Sequence, residues 1–463
     1  MDPIRNADDA ARYLDGLIDR ERTPDAARAS ARFDLGPIRA LLDAVGNPQR
    51  GLSIIHVAGS KGKGSVCLSA EPVLRSLGEC VGVFTSPHLE HWSERFRIDG
   101  AEVEGEELAR VVTHLRPHVE RLRAQGPEAA PSFFDTTTAA ALLLFSEART
   151  DRVLLEVGLG GRLDSTNAVE SRVTCVTQIE LEHTQILGST LAEIAAEKAG
   201  ILKPGVPCVL GALAGRAEAV VRDRARELGV ELFAEGEHFE LAVEPLPRGS
   251  GATRLRYADR SGLALVVELP IAGRHLARNA GLALACIRCL REHDERSFER
   301  AAQQGLRTLR LPGRVELAGR EPRVVIDSAH TAASARALAE ALATLAIRDA
   351  ELVLSVSRGK ALPEILAALA PCAASMTLTQ ADPDRSLAAD ELAQAVRDVA
   401  PELSLRVVED PREAIRSALG AAPRESAVVI AGSVYLAGLA RQVIRDLSAT
   451  APHGPSPVAG PRA

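Results

Sequence analysis

The stretch Ile54-Ile55-His56-Val57-Ala58-Gly59-Ser60-Lys61-Gly62-Lys63-Gly64-Ser65 decides how the rest of the chain is read. An apolar run ends in a glycine-rich turn, and Val66, Leu68, Val73 and Leu74 then recur at roughly helical spacing, so the order is strand, tight loop, helix. Such a turn suits a phosphate cradle. Around Gly59, Gly62 and Gly64 backbone N–H groups can converge on an anion, and the new helix points its positive end at the same place. Lys63 can reach the outer phosphates and Ser65 offers a hydroxyl to Mg²⁺. The spacing departs from G-x-x-x-x-G-K-[ST]: Val57 stands where the first glycine would be, and Gly64 separates Lys63 from Ser65. The plain alternative is a glycine-rich strand-to-helix turn carrying a solvated lysine.

At 463 residues the chain is too long for one core and predicts two domains. Hydrophobic residues at 46% and charged residues at 25% are ordinary for a globular protein. A net charge of -7 and only 3% aromatic residues give neither the basic footprint nor the stacking surface of a nucleic-acid binder. Seven scattered cysteines point to a reducing compartment; Cys286-Ile287-Arg288-Cys289 reads as buried thiols in a helix rather than as a metal or redox pair. The start, Met1-Asp2-Pro3-Ile4-Arg5, has no apolar targeting core, and no apolar run is long enough to span a bilayer, so a cytoplasmic protein is expected.

In chain order, the opening segment with Ala11, Tyr13, Leu14, Leu17 and Ile18 predicts an amphipathic helix, followed by an Arg-rich connection. A second helix over 36–45 stops at Gly46-Asn47-Pro48. Strands are predicted at 81–85, 152–157, 173–179 and 206–210, with helices at 108–123, 133 onward (Asp135 or a neighbouring Thr as N-cap) and 191–198. Polar residues gather at the strands' C-terminal ends, which describes a doubly wound parallel sheet binding ligands at that edge. Segments 239–243, 254–257 and 263–269 read as an antiparallel excursion, and helix returns over 275–291. After Leu309-Arg310-Leu311-Pro312-Gly313-Arg314 a second strand-helix series begins at 324–326, 352–356, 376–379, 405–408 and 427–430. The domains are therefore set at 1–308 and 309–448, with 449–463 as a disordered Pro/Gly/Ser tail.

Glu156 closes an apolar strand and faces a glycine-rich turn, so with Ser65 it offers the hard oxygen donors a nucleotide-bound Mg²⁺ takes. His183, after Glu180 and Glu182 at the next strand end, can ligate a second metal or simply be a satisfied polar residue. Lys198, between Glu197 and Ala199 near a helix end, reads by itself as solvated. In the second half Asp327-Ser328-Ala329-His330 and Gly432-Ser433 each follow a buried strand, and with Arg314 they suggest a cleft closing on ATP and another substrate.

Several motifs now stand in a definite order. They are His56-Val57-Ala58-Gly59 into Gly62-Lys63-Gly64-Ser65; Thr85-Ser86-Pro87-His88 with Glu94-Arg95; Glu156-Val157-Gly158-Leu159-Gly160-Gly161-Arg162-Leu163-Asp164 with Thr166-Asn167; His183-Thr184; Glu197-Lys198-Ala199-Gly200-Ile201; and Pro312-Gly313-Arg314. On these the chain, from about Leu14 to Leu439, resembles folylpolyglutamate synthase and bifunctional dihydrofolate synthase, of the Mur ligase superfamily. The resemblance implies an α/β fold: a Mur-ligase-like central domain with phosphate loop and parallel sheet, and a smaller Rossmann-like C-terminal domain.

It also implies a reaction. ATP phosphorylates a folate-type carboxylate (dihydropteroate or tetrahydrofolate), and the amine of L-glutamate attacks the acyl phosphate to give an amide, ADP and phosphate. By the same resemblance Ser65, Ser86, Glu156, His183 and a carbamylated Lys198 hold Mg²⁺, with room for a monovalent cation. Gly59, Gly62, Lys63, Gly64, Ser65, Asn279, Arg314 and Asp327 contact the nucleotide, His330 and Ser433 meet the incoming glutamate, and Lys63, Lys198 and His330 take part in catalysis. A monomer acting on small molecules is implied. Departures are specific: Ser60-Lys61 replace Thr-Asn, Glu182 replaces Asp before the histidine, Asp327-Ser328-Ala329-His330-Thr331 replaces Asp-Gly-Ala-His-Asn, and Ser357-Arg358-Gly359-Lys360 stands where Asp-Lys-Asp is expected. They leave two alternatives, a related acid–amino acid ligase with a non-folate acceptor, and a nucleotide-binding protein that has lost ligation.

Overall fold

The computed structural model describes residues 4–18, 34–213, 215–247 and 249–450. The chain divides into two compact units, Met1–Leu311 and Pro312–Ala463.

The first unit is built on an eight-stranded sheet. Its strands are β1 (Ile54–Ala58), β2 (Val81–Phe84), β3 (Phe96–Ile98), β4 (Ala101–Glu102), β5 (Arg152–Glu156), β6 (Val173–Val176), β7 (Cys208–Leu210) and β8 (Leu232–Ala234), in the order β4-β3-β2-β5-β1-β6-β7-β8. From β2 to β8 the pairings are parallel, while β3 and β4 add antiparallel edges. Every residue of β1 is buried, as a parallel strand covered on both faces requires. Register places Val57 against Glu156 on one side and Ala58 against Val176 on the other, so the loop after β1 emerges between the ends of β5 and β6. This is the strand edge at which the sequence collected its polar residues.

Three differences from the sequence reading have local causes. The strand expected over 173–179 ends at Val176, because the next residues turn to meet the loop after β1: Ser60 N–H donates to Gln178 C=O at 2.6 Å, and Lys61 and Gln178 form an isolated antiparallel bridge. The helix Phe133–Glu147 is capped by Ser132, not by Asp135 or a threonine. Asp135 occupies the third position and accepts from Ser132 N–H (2.8 Å) and Oγ (2.7 Å), a reciprocal cap that also receives Ser165 Oγ at 2.7 Å. The opening helix is Ala7–Asp15; it stops at Gly16, leaving Leu17 and Ile18 beyond it, and most of the Arg-rich connection lies outside the described residues. The antiparallel excursion is present as β9 (Phe239–Pro245), β10 (Thr253–Asp259) and β11 (Ala264–Leu269) in the order β11-β10-β9, followed by the helix Arg274–Leu290.

The second unit holds a six-stranded sheet. Its strands are β12 (Glu316–Arg320), β13 (Arg323–Ile326), β14 (Ala350–Leu354), β15 (Ala373–Leu378), β16 (Ser404–Val407) and β17 (Ala427–Ala431), ordered β12-β13-β17-β14-β15-β16 and parallel except for β12. The sequence reading missed β12, an antiparallel edge strand whose residues carry no buried apolar run. The final helix, Val434–Thr450, includes Ala449 and Thr450, which the sequence reading assigns to the tail; residues 451–463 lie outside the described residues. Among the described residues no helix is long and apolar enough to cross a membrane.

Candidate active site

At the end of β1 the backbone turns through two glycines that no other residue could replace without strain. Gly59 (φ +152°) sits so close to Thr177 that a Cβ there would collide with its hydroxyl, and the same hydroxyl donates to Lys61 C=O at 2.6 Å. Gly62 (φ +86°) is the N-cap of the helix Lys63–Ser76, and a Cβ on it would stand 2.6 Å from Asn279 Oδ1. Asn279, on the helix Arg274–Leu290, is therefore at the loop, next to Gly62.

Lys63 opens the new helix and its Nζ donates to Gly59 C=O at 3.0 Å, which curls the side chain back over the loop. Gly64 and Ser65 follow in the first turn, with Ser65 only 2% exposed. Glu156, at the end of β5, is buried and accepts from Ser86 N–H at 2.9 Å. Ser86 thus reaches the site by its backbone, from the loop after β2.

That loop is internally braced. Glu94 gathers the N–H groups of Leu89, Glu90 and His91 at 2.9, 2.7 and 2.9 Å, while Arg95 Nε donates to His88 Nδ1 at 3.0 Å and its guanidinium lies 5.2 Å from the Phe133 ring centre. Asp164 holds the turn after β5 through Leu159 N–H at 2.8 Å and Thr166 N–H at 3.0 Å.

On the β6 side the structure overturns the solvated reading of Lys198. The residue is 1% exposed, and its Nζ lies 3.1 Å from Glu182 Oε1. Burial draws the Lys198 amine down to about 8, against the opposing pull of Glu182. Burial works to raise Glu182, but Lys63, Lys198 and Lys61 outweigh it and hold the carboxyl at about 2. Lys61 Nζ stands 3.6 Å from the other Glu182 oxygen, Oε2. Glu182 is the acid that the cations of the loop and of the helix Leu191–Ala199 share, a role the sequence reading did not give it; the signal available was its place in Glu180-Leu181-Glu182-His183 at a strand end. His183 follows in left-handed backbone (φ +46°) and is exposed.

Ser65 and Glu156 fit a divalent cation, being buried hard oxygen donors beside a phosphate loop, whereas Lys198 as an ammonium paired with Glu182 is no ligand. Among the described residues, the acidic and histidine side chains that do converge closely are Glu79, Glu292 and His293. They lie near the start of β5, at the other end of the strand from Glu156, and Arg152 neutralises them through Glu79 (3.0 Å) and Glu292 (2.5 Å).

In the second unit Asp327 follows β13 and Ser433 follows β17, its neighbour. Asp327 is buried and accepts from Val315 and Ala329 N–H, both at 2.7 Å; burial pushes its carboxyl up to about 6 despite these bonds and Arg314. Arg314 donates to Pro312 C=O at 3.0 Å, and His330 Nδ1 is 2.8 Å from Ser328 C=O, which orients the ring. Ser433 Oγ accepts from Tyr435 N–H at 3.2 Å.

With this geometry in hand, the likenesses to known proteins are specific. Residues 313–434 match the family model described as Mur ligase, glutamate ligase domain. A probable bifunctional folylpolyglutamate synthase/dihydropteroate synthase of Haloferax volcanii is 34% identical over 418 residues, 89% of this chain. The chain spans about half of that relative's length (49%) and of its Halobacterium salinarum counterpart (48%). The dihydrofolate synthase/folylpolyglutamate synthase of Mycobacterium tuberculosis is 32% identical over 455 residues, covering 92% of this chain and 93% of the relative. Among solved structures, an Escherichia coli protein in complex with DHPP and ADP superposes with a TM-score of 0.82 at 26% identity, over 97% of this chain and 100% of that one. A bifunctional folylpolyglutamate synthase/dihydrofolate synthase with Mn, AMPPNP and L-glutamate bound gives 0.80 at 28% identity, over 96% and 99%. A phosphate loop on a parallel sheet, a second α/β unit of the glutamate ligase type and end-to-end identity above 30% agree: the chain belongs to the folylpolyglutamate synthase/dihydrofolate synthase family.

Proposed function

We propose that the protein is an ATP-dependent carbon–nitrogen ligase joining a folate-type carboxylate, dihydropteroate or tetrahydrofolate, to L-glutamate. The observation that carries this reading is the glycine turn with Lys63 at its helix start, following a strand whose Val57 is in register with Glu156. Relatives solved with ADP, AMPPNP, Mn and L-glutamate support the same substrates.

The first unit takes the nucleotide. Loop N–H groups and the helix start hold the phosphates, Lys63 leaves Gly59 C=O to neutralise charge on the transferring phosphoryl group, and Asn279 lines the loop. Ser65 and Glu156, with Ser86 and His183, would hold Mg²⁺, and the cation would supply charge screening for the phosphates. The acceptor's carboxylate oxygen attacks the terminal phosphorus and ADP leaves; the glutamate amine then attacks the acyl carbon, losing a proton as phosphate departs. Arg314 and Asp327 serve the nucleotide, and His330 and Ser433 receive glutamate. A carbamate formed on the neutral Lys198 amine from carbon dioxide, with loss of a proton, would break the ion pair with Glu182 and would be a further ligand; burial favours the neutral amine that this needs.

The altered Asp327-Ser328-Ala329-His330-Thr331 motif favours, as a second reading, the same chemistry on another acid. Purified protein given ATP, Mg²⁺ and glutamate with dihydropteroate or tetrahydrofolate separates the two readings: amide with either supports the folate assignment, and ADP formation only with other acids replaces it. Seven cysteines, none of them in a disulfide, favour a reducing, cytoplasmic setting.

A further inference from the structure

Three loops of the second unit meet where β17, β14 and β15 end, with β14 between the other two. Gly432, after β17, lies so close to the exit of β14 that a Cβ on it would collide with Ser355 C=O. The loop after β15 folds back over the same exit. Ala381 N–H donates to Ser355 Oγ at 3.0 Å, Leu387 N–H donates to Val356 C=O at 2.9 Å, and the fully buried Ser386 accepts from Ser355 Oγ at 3.3 Å. Arg385 sits inside this braced turn, with its N–H on Asp382 C=O at 3.2 Å and its C=O receiving Arg358 N–H at 2.8 Å.

From that fixed base the side chain reaches the strand end that carries Ser433. Arg385 Nη1 donates to Tyr435 Oη at 3.1 Å, and the guanidinium lies 5.8 Å from the centre of that ring. Tyr435 N–H in turn donates to Ser433 Oγ at 3.2 Å. Among the described residues no carboxylate stands within ion-pair distance of Arg385, and Asp382, in the same loop, spends Oδ1 on Asp384 N–H at 3.0 Å. A partly buried guanidinium is ordinarily matched by an acid, to which it can give two parallel hydrogen bonds. Here a phenol oxygen takes one donor, which orients the fork without neutralising it.

We propose that Arg385 receives a carboxylate of the incoming amino acid, and that Tyr435 is the positioning residue that holds the guanidinium beside Ser433. The inference rests on the ligase reading and adds to it the group that makes the amine donor an acidic amino acid.

The test uses the full chain with saturating ATP, Mg²⁺ and whichever of dihydropteroate and tetrahydrofolate it accepts. Initial rates of ADP and amide formation are followed against L-glutamate, with L-glutamine and L-isoglutamine each read as substrate or as competitive inhibitor. Arg385→Gln should raise the KM for L-glutamate about thirtyfold while leaving the KM for ATP within about twofold. For the amide that lacks the carboxylate held by Arg385 the same substitution should matter less than about threefold, and the other amide should behave as glutamate does. Tyr435→Phe should raise the glutamate KM about fivefold with kcat unchanged. Equal effects on glutamate and both amides, or an unchanged glutamate KM, would overturn the assignment. Where Arg385→Gln does not melt like wild type, Arg385→Lys, which keeps the charge and loses the fork, makes the same comparison. A wild-type chain that forms no amide removes the ligase reading and this assignment with it, whereas normal wild-type turnover with an indifferent Arg385→Gln removes the assignment alone.

Discussion

Lys198 Nζ lies 3.1 Å from Glu182 Oε1, and the lysine is 1% exposed. A helix-end lysine is ordinarily solvated; here the helix Leu191–Ala199 and the segment after β6 close over it and leave an acid to face it. The pairing joins a helix side chain to the strand edge that carries the phosphate loop, so structure and chemistry at this site share one ion pair.

Removing the acid should therefore cost stability in a pH-dependent way. Glu182→Gln leaves a buried ammonium, and a loss of about 3 kcal/mol is expected near pH 7. Without Glu182 the amine falls below its present value of about 8, against an ordinary 10.5. Between those values the unfolded chain binds more protons than the folded one, so stability rises with pH. Urea denaturation should show the variant recovering toward wild type as pH rises to about 8, above which both gain stability alike; a difference that stays constant below pH 8 would contradict the buried-cation account.

Gly62 and Gly78 separate a clash from backbone strain. Both have positive φ, +86° and +91°, but a Cβ on Gly62 meets the Asn279 amide while one on Gly78 meets nothing within 4 Å. Each alanine variant should lose about 1 kcal/mol of stability from the left-handed backbone. Only Gly62→Ala should also weaken nucleotide binding, by tenfold or more. Equal nucleotide affinities in the two variants would detach Asn279 from the site.

Asp327 gives a pH signature opposite to that of a salt-bridged acid. Burial raises its folded value to about 6 from an ordinary 3.8, so between these the folded chain holds the extra proton. Its contribution is most favourable below 3.8 and is lost as pH rises through 6. Asp327→Asn should flatten the pH dependence of the unfolding free energy in that window. An unchanged slope would show that the carboxyl titrates normally.

Arg152 tests the far end of the same sheet. It is 4% exposed and bound to Glu79, Glu292 and Ser53, with His293 on Glu79 at 2.8 Å. Arg152→Met removes the cation from the half-buried Glu79 and should cost about 1–3 kcal/mol. The fraction still folded should keep wild-type KM for ATP, since the cluster is remote along β5 from Glu156. A raised KM would tie the two ends of the strand together.

What the sequence could reveal depended on the range of the interactions. The strand, glycine turn and helix from Ile54 onward, the alternation of strands and helices, and the antiparallel excursion are written in local periodicity and turn residues. Lys198 was not legible, because its burial depends on a helix and a strand-exit segment meeting in space. Glu182 drew notice only as a departure from Asp, since nothing nearby in sequence shows that it faces both Lys61 and Lys198. The cap at Ser132 was displaced to Asp135 because either residue type can cap, and only the third-position geometry distinguishes them. β12 escaped because an edge strand has no buried apolar run to announce it.

The most direct measurement is turnover itself, with wild type and Lys63→Ala assayed side by side for ADP and amide in the presence of ATP, Mg²⁺, glutamate and either dihydropteroate or tetrahydrofolate. The account predicts glutamate-dependent amide and ADP with at least one acceptor in wild type, and none in a Lys63→Ala protein whose melting transition is unchanged. Wild-type protein that binds ATP yet yields no amide with either acceptor, or Lys63→Ala protein that turns over normally, would contradict it.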